Sequence, residues 1–432
     1  MSTETITETK PLTLRLNFSW TILGYGLYSF CNWLMLSVVA KLGTPEKVGQ
    51  YSLGIIIAQP IITFAMLQLR SVQATDAKRE YRFSDYFCLR LLCTALAMLI
   101  IGGLSFDGNY ALETALVILI TGIGGAFDSV SDVFYGLFQQ HERLDRMAVS
   151  MGVKGILSLL GLGVGMALTG SVVWGVVGSV IASALIVVFY DIPNGRHILQ
   201  GTRLSWAPHW DKSVLKRLSL LALPLGFATV IVAYNTNVPR FAVEHFFGQR
   251  QLGFFSAMSS IIKAGSTVVI ALGYSAASRL AKLYAAGRLK EFLKLQGKLL
   301  LVGVVLGGIA PIAALVAGKQ ILTLLYKPEY ADHLDVFALI MLAGGIGYVA
   351  SFLSYGITAA RQFWIQVAWS LLTFAVLALS AWWLTPLYGL RGAAFSLIIG
   401  MTAQLISGLA ILLYLARSAD RFSSAVSSGG LL

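Results

Sequence analysis

Long apolar stretches, separated by short polar segments, make up almost the whole chain. About 12 of them are long enough to cross a hydrocarbon layer of about 30 Å as an α-helix. The predicted spans are residues 17–40, 51–72, 84–104, 111–137, 149–169, 172–190, 216–240, 252–277, 299–317, 335–358, 361–385 and 390–416. This pattern predicts an all-α polytopic membrane protein.

The basic residues give the predicted bundle an orientation. With a cytoplasmic N-terminus, 23 of the 32 Lys and Arg, Lys154 among them, fall at inner ends and loops, and 7 fall on the outer side. Loops that stay in the cytoplasm are richer in Lys and Arg than loops that are translocated. The chain is therefore predicted to lie in a bacterial inner membrane with both termini in the cytoplasm. The net charge of +12 then faces anionic headgroups. The predicted partners are therefore membrane lipids, and nucleic acid is not expected.

Short matches recur at equivalent points of two six-span halves. Val48–Leu53 and Leu252–Ala257 enter the second and eighth spans, and Tyr135–Gly136 and Tyr355–Gly356 leave the fourth and tenth. Because six is even, both halves enter the membrane from the same side, as parallel repeats of transporters do. The predicted domains are an N-terminal six-helix bundle, a cytoplasmic linker and a C-terminal six-helix bundle, at residues 1–195, 196–215 and 216–432.

Lys263 is the charged residue placed deepest in a predicted span. A lysine at the centre of a bilayer costs roughly 2.5–3.5 kcal/mol on insertion scales, so it is expected to face a water-filled cavity or a buried carboxylate. Gln59 occupies the equivalent position of the first half. The two side chains are therefore predicted to line one central cavity.

Asn235, Asn237 and Arg240 are predicted at the outer end of the seventh span, where they are further candidates for substrate binding in the cavity. Arg240 is expected either to extend to the outer interface or to form a cationic rim for an anionic substrate.

Two arginines and two aspartates are predicted near the cytoplasmic ends of the second, third and fourth spans. Asp128 and Asp132 are four residues apart and share one helix face, which Arg70 and Arg90 are expected to meet. The group is interpreted as a structural salt-bridge network or inner gate, or as a site for a coupling proton or Na⁺.

The rest of the sequence contains no motif for catalysis. The five His lie in loops or interfaces without metal-ligand spacing, so the chain is predicted not to be an enzyme and to need no cofactor beyond a possible coupling ion. Residues 279–298 are basic and partly amphipathic, which predicts a helix lying on the lipid surface.

Four segments carry a family resemblance: Leu67–Phe83, Ser131–Leu137, His141–Arg143 and Leu325–Tyr330. They resemble bacterial oligosaccharide flippases of the O-antigen type, in the multidrug/oligosaccharidyl-lipid/polysaccharide exporter superfamily. The resemblance implies two six-helix bundles around a V-shaped central cavity. It also implies alternating-access transfer of a polyprenyl-diphosphate-linked oligosaccharide (an O-antigen, capsule or exopolysaccharide unit) to the outer leaflet.

This resemblance assigns the diphosphate to cationic residues. The candidates are Lys263, Arg240, Arg90 and Arg70, and a polysaccharide polymerase or other assembly protein is a further expected partner. One alternative is a cation-coupled multidrug exporter of the same superfamily, against which Lys263 argues. The other is a membrane polysaccharide polymerase or ligase, which needs a large outer loop; the longest predicted here is 318–334.

Overall fold

The computed structural model describes residues 14–76, 80–107, 110–200, 210–235, 237–359 and 363–428. Within these ranges all regular secondary structure is helical. Eleven of the described helical segments are long and apolar enough to cross a membrane. The chain is therefore an all-α multi-pass membrane protein, as predicted.

The described residues up to Ala233 pack as one compact unit. Its helices are α1 (Leu14–Leu42), α2 (Pro45–Ala65), α3 (Leu69–Thr75), α4 (Phe83–Ser105), α5 (Leu112–Gln140), α6 (Leu144–Thr169), α7 (Val172–Ile186), α8 (Ile192–Gln200) and α9 (Lys212–Asn235), with a π-helical turn at Val187–Asp191. Helices α6 and α7 approach so closely that a Cβ on Gly161 would overlap the Gly178 carbonyl. Such close backbone contacts are typical of helices packed in a membrane.

The described residues from Tyr234 onward form the second compact unit. Its helices are α10 (Val238–Ala285), α11 (Leu289–Leu325), α12 (Leu334–Ala359), α13 (Phe363–Tyr388) and α14 (Leu390–Ser428), with a 3₁₀ helix at Pro328–His333. The predicted division at 196–215 stays a prediction, and 201–209 lie outside the described residues.

The predicted second span is broken between α2 and α3. Leu67 and Gln68 there adopt left-handed φ angles of 48° and 52°, which are uncommon for residues with a side chain. Leu67 packs against Gly226 of α9, where any added Cβ would meet its Cδ2 at 2.8 Å. The break changes the direction of the chain before α3, the helix that carries Arg70.

The predicted seventh span, 216–240, is also divided, because α9 ends at Asn235 and α10 begins at Val238. Pro239 has no N–H to donate to the Asn235 carbonyl four residues earlier, and its ring would clash with that carbonyl in a continuous helix. Helix α10 is itself interrupted at Gly248, whose φ of 74° is easy for glycine alone.

The predicted surface helix at 279–298 was wrong. These residues form the end of α10 and the beginning of α11, joined by a turn in which Gly287 has a φ of 68°. Their apolar positions pack inside the second unit, where Leu283, Leu289 and Phe292 are buried. Burial against neighbouring helices therefore replaces burial in lipid headgroups.

Candidate functional site

A buried arginine is paired with a carboxylate in the first unit. Arg90 of α4 has no exposed surface, and its Nη2 lies 2.8 Å from Oδ2 of Asp132 on α5. Arg70 of α3 approaches the other oxygen of Asp132 at 3.5 Å and is 37% exposed. The structure thus brings together three of the four charged residues predicted to meet here.

Asp128 does not join the arginines, which corrects the predicted quartet. Its Oδ1 accepts a hydrogen bond of 2.7 Å from Nζ of Lys154 on α6. Lys154 was predicted at an inner end, yet its side chain is only 4% exposed and lies 5.5 Å and 5.4 Å from the ring centres of Tyr28 and Tyr135. Residues four apart share a helix face, but each of the two aspartates reaches a different neighbouring helix.

Asp191 belongs to the same buried region, and the sequence reasoning missed it. The carboxylate is completely buried and accepts hydrogen bonds from Ser131 at 2.6 Å and Ser150 at 2.7 Å. Tyr135 and Ser150 are joined by a further hydrogen bond of 2.9 Å. Asp191 ends the π-helical turn, an arrangement frequent at functional sites. The predicted span ended at residue 190, whereas the helical backbone continues through Asp191 into α8.

We call this group the polar network; its members are Arg70, Arg90, Asp128, Asp132, Lys154 and Asp191. Each of its three acidic side chains accepts a hydrogen bond from a side chain on another helix or turn. The network links α3, α4, α5, α6 and the π-helical turn. It can hold these helices in register.

Arg240 lies inside the second unit. It is in the first turn of α10 and donates hydrogen bonds to Oδ1 of Asn237 at 3.3 Å and Oγ of Ser259 at 3.0 Å. It precedes the break at Gly248 by about 12 Å of helix. Ser259 follows that break, so Arg240 points across the hairpin toward the returning helix. Both alternatives for Arg240, the outer interface and a cationic rim, stay predictions.

Lys263 lies one turn beyond Ser259 on the same helix. Its side chain is exposed, and no described carboxylate forms an ion pair with it. Arg240 bonds to Ser259, which shares a helix face with Lys263, so the two cations are neighbours. The second unit therefore has two cations near each other deep in a span. Lys263 follows Gly248 by about 22 Å of helix.

The amide candidates have different surroundings. Asn235 donates a hydrogen bond of 3.3 Å to the Ser370 carbonyl on α13, within the second unit. Asn237 is buried and accepts from Arg240. Gln59, just before Pro60 in α2, is exposed. Their predicted roles in substrate binding stay predictions. Within the described ranges, no group of three or more His, Cys, Asp or Glu is placed to hold a metal ion.

Comparison with solved structures defines the class of protein. The fold is similar to an inward-facing multidrug resistance transporter of the MATE family in the MOP superfamily (TM-score 0.74, 12% identity, 94% of this chain and 99% of the other). It is also similar to the lipid II flippase MurJ in an inward closed conformation (TM-score 0.66, 14% identity, 97% and 93%). The chain has the fold of these transporters.

The sequence comparison identifies the family. Residues 14–278 match the model of the polysaccharide biosynthesis protein family, and the chain belongs to that family. It is also 28% identical over 396 residues to the capsular polysaccharide biosynthesis protein CapF of Staphylococcus aureus, covering 90% of this chain and 97% of the relative. The expected resemblance to polysaccharide exporters of this superfamily is confirmed.

Proposed function

We propose that the protein flips a polyprenyl-diphosphate-linked oligosaccharide from the cytoplasmic to the outer leaflet of a bacterial inner membrane, with both its termini in the cytoplasm. Membership of the polysaccharide biosynthesis family and the transporter fold support this proposal. The observation that carries it is Lys263, an exposed cation deep in a span with no described carboxylate partner.

The chemistry of the substrate explains why such a lysine is retained. A diphosphate must leave water to cross the membrane, and attraction between opposite charges strengthens as the local dielectric falls. Lys263 and Arg240 together supply two positive charges for it. Arg240 is already held by Asn237 and Ser259, so it is oriented before the substrate arrives.

Arg70 and Arg90 are secondary candidates for binding the diphosphate in this proposal. Arg90 is buried against Asp132, whereas Arg70 is partly exposed and has only the longer contact of 3.5 Å to that carboxylate. Arg70 is therefore the better substrate ligand of the two. A coupling proton or Na⁺ is proposed at Asp128 or Asp132, whose side chains are 34% and 17% exposed.

The test is a flipping assay in reconstituted vesicles with a fluorescent polyprenyl-diphosphate oligosaccharide. We expect the wild type to expose the lipid to an external quencher and Lys263→Gln to reduce the initial rate about tenfold or more, the equivalent of about 1.4 kcal/mol. Lys294→Gln is the matched control, because Lys294 is an exposed lysine outside the predicted spans. It should leave the rate unchanged.

Two results would contradict parts of the proposal. Equal rates for wild type and Lys263→Gln would remove Lys263 from the substrate path. A wild type that moves organic cations against sodium or protons, and no lipid-linked oligosaccharide, would replace the proposal with the multidrug-exporter alternative.

A further inference from the structure

A cavity lies in the second unit, at its predicted outer end. Its volume is about 360 Å³, within the range of small-molecule sites. Three connections meet there: the break in α10, the 3₁₀ helix with the beginning of α12, and the turn between α13 and α14. We call it the outer cavity, and the residues that matter are Phe247, Gln251, Asp332, Asp335, Tyr388 and Arg391.

Two aromatic rings form its apolar surface. Tyr388, the last residue of α13, is 57% exposed, and Phe247 is 41% exposed. The turn after Tyr388 depends on Gly389, whose φ is 61° and beside which an added Cβ would meet no atom within 4 Å. The rim is therefore open beside two exposed ring faces.

The polar groups of the outer cavity are only partly used by the protein itself. Arg391 pairs with Asp335. The Asp332 carboxylate and the Gln251 amide make no hydrogen bond to any described residue, although each can form several. The carboxylates, the amide and the guanidinium of the outer cavity thus place hydrogen-bond acceptors and donors around the exposed rings.

The charge of the outer cavity excludes phosphate as its ligand. Its lining includes Asp332, Asp335, Arg391 and His333, so the two carboxylates outnumber the one arginine, and this formal excess of negative charge would repel a diphosphate or an anionic lipid headgroup. A role in the interfacial aromatic belt does not explain these acidic residues, since belt residues need only an apolar ring and a polar tip. The cavity suits a neutral or cationic ligand that is rich in hydroxyl groups.

We propose that the outer cavity binds a neutral or amino sugar of the oligosaccharide on the outer side of the membrane; this rests on the proposed function. A pyranose has one face of C–H groups, which packs on Tyr388 or Phe247, and a rim of hydroxyls, which Asp332 and Gln251 can bind. The diphosphate and the sugar are then held by residues of opposite charge: Lys263 with Arg240, and the outer cavity.

Saturation-transfer NMR on the full-length protein in nanodiscs tests this proposal. The probes are N-acetylglucosamine, glucosamine and glucuronate. We expect transfer to the first two and at least twofold less to glucuronate. Tyr388→Ala should at least halve the transfer, and Asp332→Asn should abolish the preference against glucuronate. Trp383→Ala is the matched control, because Trp383 is an exposed aromatic of α13 that does not line the outer cavity.

The proposal fails if no probe receives saturation, or if Tyr388→Ala and the wild type give equal transfer while their unfolding curves agree. Preferred binding of glucuronate would also overturn it. The measurement needs no translocation, so the two proposals fail separately. If the protein binds the sugars but does not flip the lipid-linked oligosaccharide, the outer-cavity proposal is supported and the flippase proposal is contradicted. If it flips the lipid-linked oligosaccharide but binds no sugar, the flippase proposal is supported and the outer-cavity proposal is contradicted.

Discussion

Charged residues within the spans have partners of opposite charge in the first unit, whereas Lys263 and Arg240 in the second unit have none among the described residues. Asp132 binds Arg90 and Arg70, and Asp128 binds Lys154. Lys263, by contrast, has no partner among the described carboxylates, and Arg240 is held only by neutral groups. The same kind of residue therefore has a different energetic role in each unit.

This difference separates stability from function. A paired buried charge stabilises the fold only as long as its partner is present, and losing that partner leaves a costly isolated ion. An unpaired charge contributes nothing to stability and is worth keeping only for what it binds. We therefore expect substitutions in the polar network to affect folding and substitutions at Lys263 to affect transport.

The largest effect is expected for Asp132→Asn. This substitution leaves the guanidinium of Arg90 buried without an anion, and two of its nitrogens, Nε and Nη1, already lack a hydrogen-bond partner. Removing one partner of a buried ion pair costs about 3–5 kcal/mol. Unfolding of the purified protein in detergent should show a loss of this size.

The control for Asp132→Asn is Glu291→Gln, which breaks the exposed pair between Glu291 and Arg288. The two side chains are 50% and 60% exposed, so the cost should be under about 1 kcal/mol. If both substitutions had the same small effect, the polar network would not hold the helices of the first unit together.

A smaller effect is expected when Lys154 and Asp128 are replaced together. Lys154→Met alone leaves Asp128 without its cation, but this carboxylate is 34% exposed and can still be hydrated. Adding Asp128→Leu removes the remaining charge. The double variant should regain about 1–2 kcal/mol relative to the sum of the two single changes, a coupling typical of residues in contact.

The measurement for this pair is a double-mutant cycle of unfolding free energies. Strict additivity would show that the contact of 2.7 Å contributes no stability. The comparison between the two units would then rest on Arg90 and Asp132 alone.

The sequence was sufficient for the spans and for some of the charged residues. The cost of a charge in lipid was enough to single out Lys263, and the spacing of four was enough to place Asp128 and Asp132 on one face. The partner of each aspartate depends on how α3, α4 and α6 pack on α5, and helix periodicity carries no information on that packing. Lys154 was therefore assigned to an inner end.

Asp191 was missed for a different physical reason. Hydropathy marks where an apolar stretch stops, but helical backbone continues through the π-helical turn into α8. Two buried serines compensate the polarity of this carboxylate, and serines occur throughout the sequence without such a role. Local sequence thus gives no sign that these three residues meet.

The smallest effect on stability is expected at Lys263, where the comparison is sharpest. Lys263→Met removes a charge that has no described partner and replaces it with an apolar side chain of similar length. Since a lysine at this depth costs roughly 2.5–3.5 kcal/mol, the unfolding free energy should stay constant or rise. Thermal unfolding of the variant beside the wild type, in the same detergent, measures this change. A loss as large as that of Asp132→Asn would mean that Lys263 also serves the fold, because removing an unpaired charge should not destabilise on that scale. The charged residues within the spans of the two units would then have the same energetic role, and any loss of transport in the variant would follow from misfolding rather than from a missing substrate ligand.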